Sequence, residues 1–292
     1  MPSLKEVRNR IVSVNSTKQI TAAMKMVSAA KLRRAQDAIV RMRPYAEKLQ
    51  TILGNVSASL DSSEGTYSAQ REVKKVLLVA IVSNRGLAGA FNTQVYRSIR
   101  RLVPMHEAQG RTVHVLPVGK KALDTYRRTP QFNPELPTDL ARLFDGLNFD
   151  KAAPVAELIM ELFAKGTYDE VTLVYNKFKN AAVQVIAEEP YLPIAPIATT
   201  EKSATKVDHI MEPDRATIVE EIIPKSLKIQ FYKALLDSHA AEHGARMTAM
   251  HKATDNADSL LKGLKLTYNK ARQAAITNEI LEIVGGAEAL KG

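Results

Sequence analysis

Hydrophobic residues near the N-terminus recur in steps of three and four positions. The first run comprises Leu4, Val7, Ile11 and Val14, and after a polar interval the spacing resumes as Ile20, Met24 and Val27. A further run comprises Ala35, Ala38, Met42, Tyr45, Leu49, Ile52 and Val56. This 3-4 alternation places one narrow apolar stripe on a helix, which is typical of a coiled-coil seam.

Two features predict where this first helix is interrupted. Pro44 removes a backbone donor, so we expect a kink or a break near Arg43. The polar segment 61–65 (DSSEG) predicts the loop by which the chain leaves the helix.

The C-terminal part repeats the pattern of the N-terminal part. Between Lys225 and Ala289 there is no proline, and one face would carry Met250, Ala253, Ala257, Leu260, Leu264, Thr267, Ala271 and Ala274. A continuous helix over this range would be about 100 Å long at 1.5 Å per residue. Heptad segments at opposite ends of one chain predict an antiparallel intramolecular coiled coil.

The middle of the chain has a different pattern. Lys75–Ser83 is an almost uninterrupted apolar run of strand length, which favours a strand buried on both faces. The elements predicted after it are a glycine-containing turn 85–90, a helix over Phe91–Glu107, a strand over Arg111–Val118, a short helix from Lys120, a loop over 129–138, a helix over 151–164, and strands over Glu170–Tyr175 and 182–188. Alternation of strands and helices predicts a small Rossmann-like α/β domain with a parallel-type sheet.

The predicted fold class is therefore α/β, with a long antiparallel coiled coil of N- and C-terminal helices and a central sheet domain. The expected division is an N-terminal coiled-coil helix over 1–60, a central domain over 70–190, a proline- and threonine-rich connection over 191–213, and a C-terminal coiled-coil helix over 214–292.

Composition excludes several classes of protein. The chain has no cysteine, which removes disulfide scaffolds, thiolate catalysis and cysteine-based metal sites. The longest apolar run, Val76–Val82, is too short to span a bilayer, and no secretory signal is expected at the N-terminus. Aromatic residues make up only 5% of the chain, which suits slender paired helices better than a large compact core.

The positive charge is concentrated at one end. The net charge is +10, and residues 1–60 hold 11 basic against 3 acidic residues. The helix predicted there carries Lys18, Lys25, Lys31, Arg33, Arg34, Arg41 and Arg43. A nucleic-acid-associated coiled-coil protein is one alternative, but Tyr45 is the only aromatic in this part that could stack on bases. We therefore expect contact with an acidic protein surface.

Two motifs resemble catalytic or ligand sites without completing them. Segment 83–89 (SNRGLAG) follows the strongest strand, yet neither common phosphate-binding glycine motif is present, so no nucleotide or other cofactor is expected. His239, Glu242 and His243 match the HxxEH pattern of some zinc peptidases. A third ligand is not in reach along the same helix, so we expect two solvated histidines, no metal and no catalytic residue.

Longer motifs at both ends resemble the F-type ATP synthase gamma-subunit family. The opening residues 1–36 contain its I-x-S-V-x-x-T-x-x-I-T-x-A-M-x-M-V-x-A-x-K run, and residues 266–290 (LTYNKARQAAITNEILEIVGGAEAL) match its C-terminal signature. SNRGLAGAFN, EPD at 212–214 and SHAAEHGARMTAMHKATDNA also match, so the resemblance covers essentially the whole chain.

The resemblance implies a non-catalytic rotor shaft, with catalysis on the beta subunit. The implied partners are the hexameric ring of alpha and beta subunits, the epsilon subunit and the membrane c-ring. Carried over onto this sequence, the family's contact positions with the ring, together with the basic helix, are Met24, Lys25, Lys31, Arg33, Arg34, Ser83, Arg85, Gly86, Arg246, Arg272, Gln273 and Thr277. The cysteine-containing redox insertion of the chloroplast type is missing, which favours a bacterial protein at the cytoplasmic face of the inner membrane.

Overall fold

The computed structural model of the protein describes residues 3–57, 66–69, 71–194 and 215–289. The chain divides into two units. The first comprises residues 1–28 and 247–292, and the second comprises residues 29–246. The predicted exit loop at 61–65 and most of the predicted connection over 191–213 lie outside the described residues.

The terminal helices are both present and both unbroken. Helix α1 spans Leu4–Ser57 and helix α5 spans Arg215–Ala289. Pro44 lies inside α1, so the helix does not break there, and the alternative of a kink near Arg43 stays a prediction. Leu49, one turn beyond the proline, is buried, and such packing offsets the backbone hydrogen bond that proline removes.

Most buried positions of α1 follow a seven-residue repeat, and Leu32 is buried in addition to it. In the first unit they include Val7, Val14, Thr21 and Ser28, and in the second unit Ala35, Met42 and Leu49 continue the same series at full or partial burial. After the polar interval, the predicted seam positions 20 and 27 each lie one residue before the positions that are buried, 21 and 28. Ile20, Val27 and Tyr45, which the prediction placed in the seam, are more than half exposed. The heptad continues through polar residues, which a search for apolar residues alone skips.

Helix α5 shows the same kind of correction. Its buried or half-buried positions in the first unit include Met250, Ala253, Thr254, Ala257, Leu261, Leu264, Tyr268 and Ala271. Leu260, Thr267 and Ala274 were predicted in the seam and are exposed. Leu260 and Leu261 are the same residue type at adjacent positions, so the sequence does not distinguish them. The side on which the partner helix lies decides that Leu261 is the one that is buried.

The second unit contains a four-stranded sheet in the order β2-β1-β3-β4. Its elements in chain order are β1 (Lys75–Ile81), α2 (Phe91–Glu107), β2 (Thr112–Val118), α3 (Lys120–Tyr126), a short 3-10 helix (Leu140–Phe144), α4 (Phe149–Ala164), β3 (Glu170–Phe178) and β4 (Gln184–Leu192). The prediction of α2 is confirmed with the same bounds.

The parallel arrangement holds for three strands and is wrong for the fourth. Strand β1 pairs in parallel with β2 and β3, whereas β4 is antiparallel to β3. The short link between Phe178 and Gln184 allows only a hairpin, because a parallel connection needs a crossover of a dozen residues or more. Strand β4 also continues to Leu192, past the predicted end at residue 188.

Both faces of β1 are buried, as its apolar run predicts. Leu77, Val79 and Ile81 pack in one core cluster with residues of α4 and with Phe231 of α5. Val76, Leu78 and Ala80 pack on the other face, against residues of α2 and α3. Part of α5 therefore belongs to the core of the sheet domain.

Candidate partner-contact site

Helices α1 and α5 are joined within the first unit by three polar contacts. Lys18 Nζ donates to Asp258 Oδ1 at 2.5 Å, the hydroxyls of Thr21 and Thr254 lie 2.9 Å apart, and Lys25 Nζ is 3.4 Å from His251 Nδ1. Advancing along α1 moves backward along α5, so the pair is antiparallel, as the sequence predicts.

Four polar residues of α1 form what we call the polar seam block: Lys18, Thr21, Lys25 and Ser28. Thr21 and Ser28 are buried, and the two lysines are half-buried. Asp258 is shared between two ion pairs, since Lys262 Nζ also approaches its Oδ2 at 3.3 Å. The pKa of Asp258 is lowered, chiefly by the hydrogen bond from Lys18. Of the predicted contact residues, Lys25 belongs to this block and Met24 lies half-buried beside it.

The C-terminal end of α5 has no α1 residue beside it. In the observed register the first residue of α1, Leu4, is level with Arg272. Every residue from 272 to 287 is exposed, including the predicted contact residues Arg272, Gln273 and Thr277. Ile276, Ile280, Ile283 and Val284 are each about half exposed or more and recur in steps of three and four. We call these four residues the unpaired apolar stripe.

The basic residues that follow the polar seam block on α1 are on the surface. Lys31, Arg33 and Arg34 are exposed, and none of them forms an ion pair with another described residue. Their charge is therefore available to a partner. These three residues are predicted to contact a partner, and all three are accessible in the structure.

The loop after β1 is held in place by its own side chains. Ser83 is buried, and its Oγ donates to the carbonyl of Arg85 at 2.7 Å, while its backbone N–H donates to Asn92 Oδ1 at 3.1 Å. Asn84 Oδ1 accepts the N–H of Lys120 at the start of α3. These contacts occupy the backbone donors of Ser83 and Lys120 and hold the loop against the starts of α2 and α3.

One glycine makes this junction possible. Gly119, just before α3, has a φ of 104°, and a Cβ there would lie 2.2 Å from the carbonyl oxygen of Val82. Only glycine allows the start of α3 to approach the end of β1 so closely.

The tip of the loop is presented outward by a residue of α5. Arg246 Nη2 donates to the carbonyls of Arg85 at 3.0 Å and Gly86 at 3.3 Å, and its Nη1 pairs with Glu242 Oε1 at 2.5 Å. Both side chains of this ion pair are only 9% exposed. Burial raises the pKa of Glu242, and the charges of Arg246, Lys31 and Arg85 oppose that rise. Three cations thus surround one carboxylate in this part of the second unit.

The HxxEH histidines are packed in the protein, so the expectation that they are solvated is wrong. His243 is buried, and its Nε2 lies 3.1 Å from Nε2 of His239, whose ring stacks on Phe144. Burial lowers the pKa of His239 to about 4 and that of His243 to about 3. This stretch of α5 packs against the sheet domain, which the helical pattern alone does not reveal.

The same contacts assign the glutamate of the motif. Glu242 is engaged by Arg246 and not by either histidine. Within the described ranges no group of three or more His, Cys, Asp or Glu side chains is arranged to hold a metal ion. Sequence reasoning missed the Glu242–Arg246 pair, although its i, i+4 spacing on a helix was a signal that could have found it.

Two kinds of contact surface result, one in each unit. The first unit offers the polar seam block and the unpaired apolar stripe, and the second offers exposed cations and the loop tip. No helix of the described segments has a stretch long and apolar enough to cross a membrane.

The known proteins that are similar to this chain belong to the family that its sequence motifs resemble. A family model described as ATP synthase matches residues 3–290. The ATP synthase gamma chain of Flavobacterium johnsoniae is 57% identical over 293 residues, covering 100% of both chains. That of Cytophaga hutchinsonii is 53% identical over 296 residues, covering 99% of both.

Solved structures show the same relationship. The rotor of Euglena gracilis mitochondrial ATP synthase matches with a TM-score of 0.66 and 25% identity, covering 94% of this chain and 98% of that one. A chain of the Tetrahymena thermophila mitochondrial ATP synthase central stalk and c-ring matches with a TM-score of 0.56 and 26% identity, covering 80% of this chain and 99% of that one. None of these matches supports the nucleic-acid alternative.

Proposed function

Because the chain belongs to the ATP synthase gamma chain family, we propose that it is the central rotor shaft of a proton-translocating ATP synthase. It transmits torque between the membrane c-ring and the catalytic beta subunits, and is itself a non-catalytic subunit of that enzyme complex. The observation that carries the proposal is the full-length relationship to gamma chains, together with the antiparallel α1–α5 pair.

The α1–α5 pair has the mechanical properties that a shaft needs. Torque applied to two helices that lie side by side tends to slide one helix along the other. The Lys18–Asp258 ion pair and the Thr21–Thr254 hydrogen bond oppose such sliding, because a shift by one residue would separate both. Small seam residues such as Ala257 and Ala271 keep the pair slim.

The C-terminal end of α5, which has no α1 residue beside it, is suited to rotate in contact with the ring of alpha and beta subunits. Its apolar stripe has no partner on α1, so burial against the ring of alpha and beta subunits would remove it from water. Arg272, Gln273 and Thr277 lie at the start of this exposed end and would supply polar contacts with the ring.

The remaining contacts would be made near the polar seam block and at the loop tip. Met24, Lys25, Lys31, Arg33 and Arg34 would face acidic groups of the beta subunit, which the surplus charge of α1 favours. At the loop, Arg85 and Gly86 are exposed, whereas Ser83 and Arg246 are buried and would contribute through the loop backbone.

The four-part division of the sequence has a functional meaning in this proposal. Segments 1–60 and 214–292 would form the shaft, and the domain over 70–190 would join the epsilon subunit and the c-ring, with 191–213 as the connection. The chain is a peripheral part of a membrane complex. We place it at the cytoplasmic face of a bacterial inner membrane, because the gamma chains that are 53% and 57% identical to it come from bacteria and it has no cysteine for thiol regulation.

Reconstitution tests the proposal. The purified chain mixed with alpha and beta subunits should assemble with them and stimulate ATP hydrolysis. A triple variant, Lys25→Glu, Arg33→Glu and Arg34→Glu, should weaken stimulation most at low salt, because exposed charges are screened within about 10 Å at 0.1 M. A chain that neither assembles nor stimulates would overturn the proposal.

The matched control changes the same charge elsewhere. Arg97→Glu, Arg127→Glu and Arg128→Glu alter three exposed cations of the sheet domain and should leave ring stimulation closer to the unmodified chain. Equal losses in both triple variants would show that net charge, and not the α1 surface, is responsible.

A further inference from the structure

The turn Arg85–Gly86–Leu87, which we call the presented turn, has an unusual backbone. Leu87 has a φ of 63°, in the left-handed region that branched and bulky residues rarely adopt. It is the one non-glycine residue with positive φ among the described residues. The neighbouring Gly86 would accommodate this conformation at no cost, yet the strain falls on the leucine.

Most of the leucine side chain lies in solvent in this conformation. It is 66% exposed, whereas the next residue, Ala88, is 3% exposed and packs with Phe91 and with Ala241 and Ala245 of α5. The strained backbone therefore turns an apolar side chain toward solvent at a fixed position. Strain that the fold maintains without an internal benefit points to a functional contact.

Glu242 and Arg246 supply what maintains it. The guanidinium of Arg246 bonds the two carbonyls that precede Leu87, and its planar fork is oriented by Glu242 from one helical turn away. Removing either partner would leave a buried charge without its counter-charge, which is strongly unfavourable. The ion pair is thus an anchor on a rigid helix for a turn on the surface.

The surroundings indicate the chemistry of the partner. Lys31 and Arg85 are exposed cations close enough to influence Glu242, and the only described carboxylate among these groups is already paired. An exposed apolar side chain two residues from the exposed cation Arg85 fits a protein surface with an apolar depression and acidic groups at its edge.

We infer that Arg246 is a positioning residue, which together with Glu242 holds the presented turn so that Leu87 docks into an acidic-edged apolar depression on a ring subunit. This rests on the proposed function for the identity of the partner, and it changes the part played by Arg246. The arginine acts through the turn, and Leu87 and Arg85 make the contact.

Hydrogen exchange of the isolated full-length chain tests the anchor without any partner. In Arg246→Ala the backbone amides of Ser83, which donates to Asn92 Oδ1, and of Ala88, which is buried, should exchange about tenfold faster, which corresponds to the loss of about one to two of the hydrogen bonds that hold the turn. Arg246→Lys should restore part of the protection, because an ammonium can pair with Glu242 but cannot span both carbonyls as well. Lys252→Ala, an exposed change on the same helix, is the control and should leave these amides unchanged.

Leu87→Gly tests the docking step separately. Glycine relieves the backbone strain, so the isolated chain should be at least as stable as before, with the Arg246 hydrogen bonds kept. Stimulation of ATP hydrolysis in the complex with alpha and beta should nevertheless fall several-fold, as it should in Arg246→Ala. Arg246→Lys should recover stimulation in proportion to its recovered protection.

The outcomes separate the inference from the proposed function. Lost stimulation in Arg246→Ala with unchanged amide exchange would mean that Arg246 contacts the partner directly, which overturns the inference. Full stimulation by Leu87→Gly would overturn the docking role of Leu87. If the unmodified chain fails to assemble with alpha and beta, the proposed function fails, while the exchange experiment still decides whether Arg246 holds the turn.

Discussion

Thr21 on α1 and Thr254 on α5 face each other across the helix pair, with their hydroxyl oxygens 2.9 Å apart. Each hydroxyl also lies within hydrogen-bonding distance of a carbonyl of its own helix, at Lys18 and Met250. Two hydroxyl protons serve three contacts, so one hydroxyl donates across the pair while the other stays with its own backbone. The cross-helix hydrogen bond exists only when both residues are present in this register.

The threonine pair should therefore show coupling in a double-mutant cycle. Thr21→Val and Thr254→Val should each lower the free energy of unfolding by about 0.5–1.5 kcal/mol, because a mixed pair loses the cross-helix bond. The double variant should lose less than the sum, since two valines of similar shape pack together in the seam. Urea denaturation followed by circular dichroism measures all four proteins, and strictly additive losses would contradict the pairing.

The Lys18–Asp258 contact predicts a dependence of stability on acid. The pKa of Asp258 is lower in the folded chain than in the unfolded one, so its contribution is present above the unfolded pKa of about 4 and is lost as pH falls through the folded value. The urea midpoint of Asp258→Asn should lie below that of the unmodified chain at pH 7, and the two should converge in acid.

The control for this prediction is a carboxylate of the unpaired end. Glu279 is exposed, and Glu279→Gln should leave the urea midpoint close to that of the unmodified chain at every pH. A constant difference between Asp258→Asn and the unmodified chain from pH 7 to pH 3 would show that the ion pair does not contribute.

The buried histidines predict a second acid effect, over a different range. Their pKa values are lowered in the folded chain, to about 4 for His239 and about 3 for His243, so the unfolded chain binds protons first as pH falls below about 6.5. Stability should be full at neutral pH and decline between about pH 6.5 and pH 4. His243→Leu should make this decline shallower in thermal denaturation.

An exposed histidine distinguishes burial from general acid denaturation. His251→Gln changes a side chain that is 56% exposed, and it should retain the decline of the unmodified chain. If His243→Leu and the unmodified chain decline in parallel, protonation of the buried pair is not responsible.

The unpaired apolar stripe predicts a change that appears only in the complex. Ile276→Ser and Ile280→Ser together should leave the thermal midpoint of the isolated chain unchanged, because both side chains are already about half exposed. Assembly with alpha and beta should weaken by up to about 2 kcal/mol per side chain buried. Co-sedimentation measures the strength of this assembly. Leu266→Ser is the matched control, because it changes another exposed apolar residue of α5, beside the paired region.

The terminal helices show what periodicity can and cannot provide. A repeat of three and four predicts that α1 and α5 form and pair, because a helix with one apolar stripe must cover it. It placed Ile20, Val27 and Leu260 in the seam, whereas the structure exposes them and buries Thr21, Ser28 and Leu261. Polar residues in a seam carry no apolar signal, and their burial depends on the partner that satisfies them.

The central domain shows the same division. The apolar run of β1 predicts a strand covered on both faces, and the alternation of elements predicts the α/β class. The antiparallel direction of β4 follows from the short hairpin before it, and the burial of His239 and His243 follows from the packing of α5 on the sheet domain. The hairpin is local, whereas the burial of the two histidines joins residues far apart in the chain.

The sequence alone determined the two helices that pair, the strand at the centre of the sheet, the basic surface of α1 and the family, because each depends on residue types at local spacings or in continuous motifs. The tertiary structure decided which face of each helix is covered, which histidines lose water, and that Arg246 holds the turn carrying Leu87. Burial and hydrogen bonding between distant segments exist only once the segments meet, so no local pattern can encode them by itself.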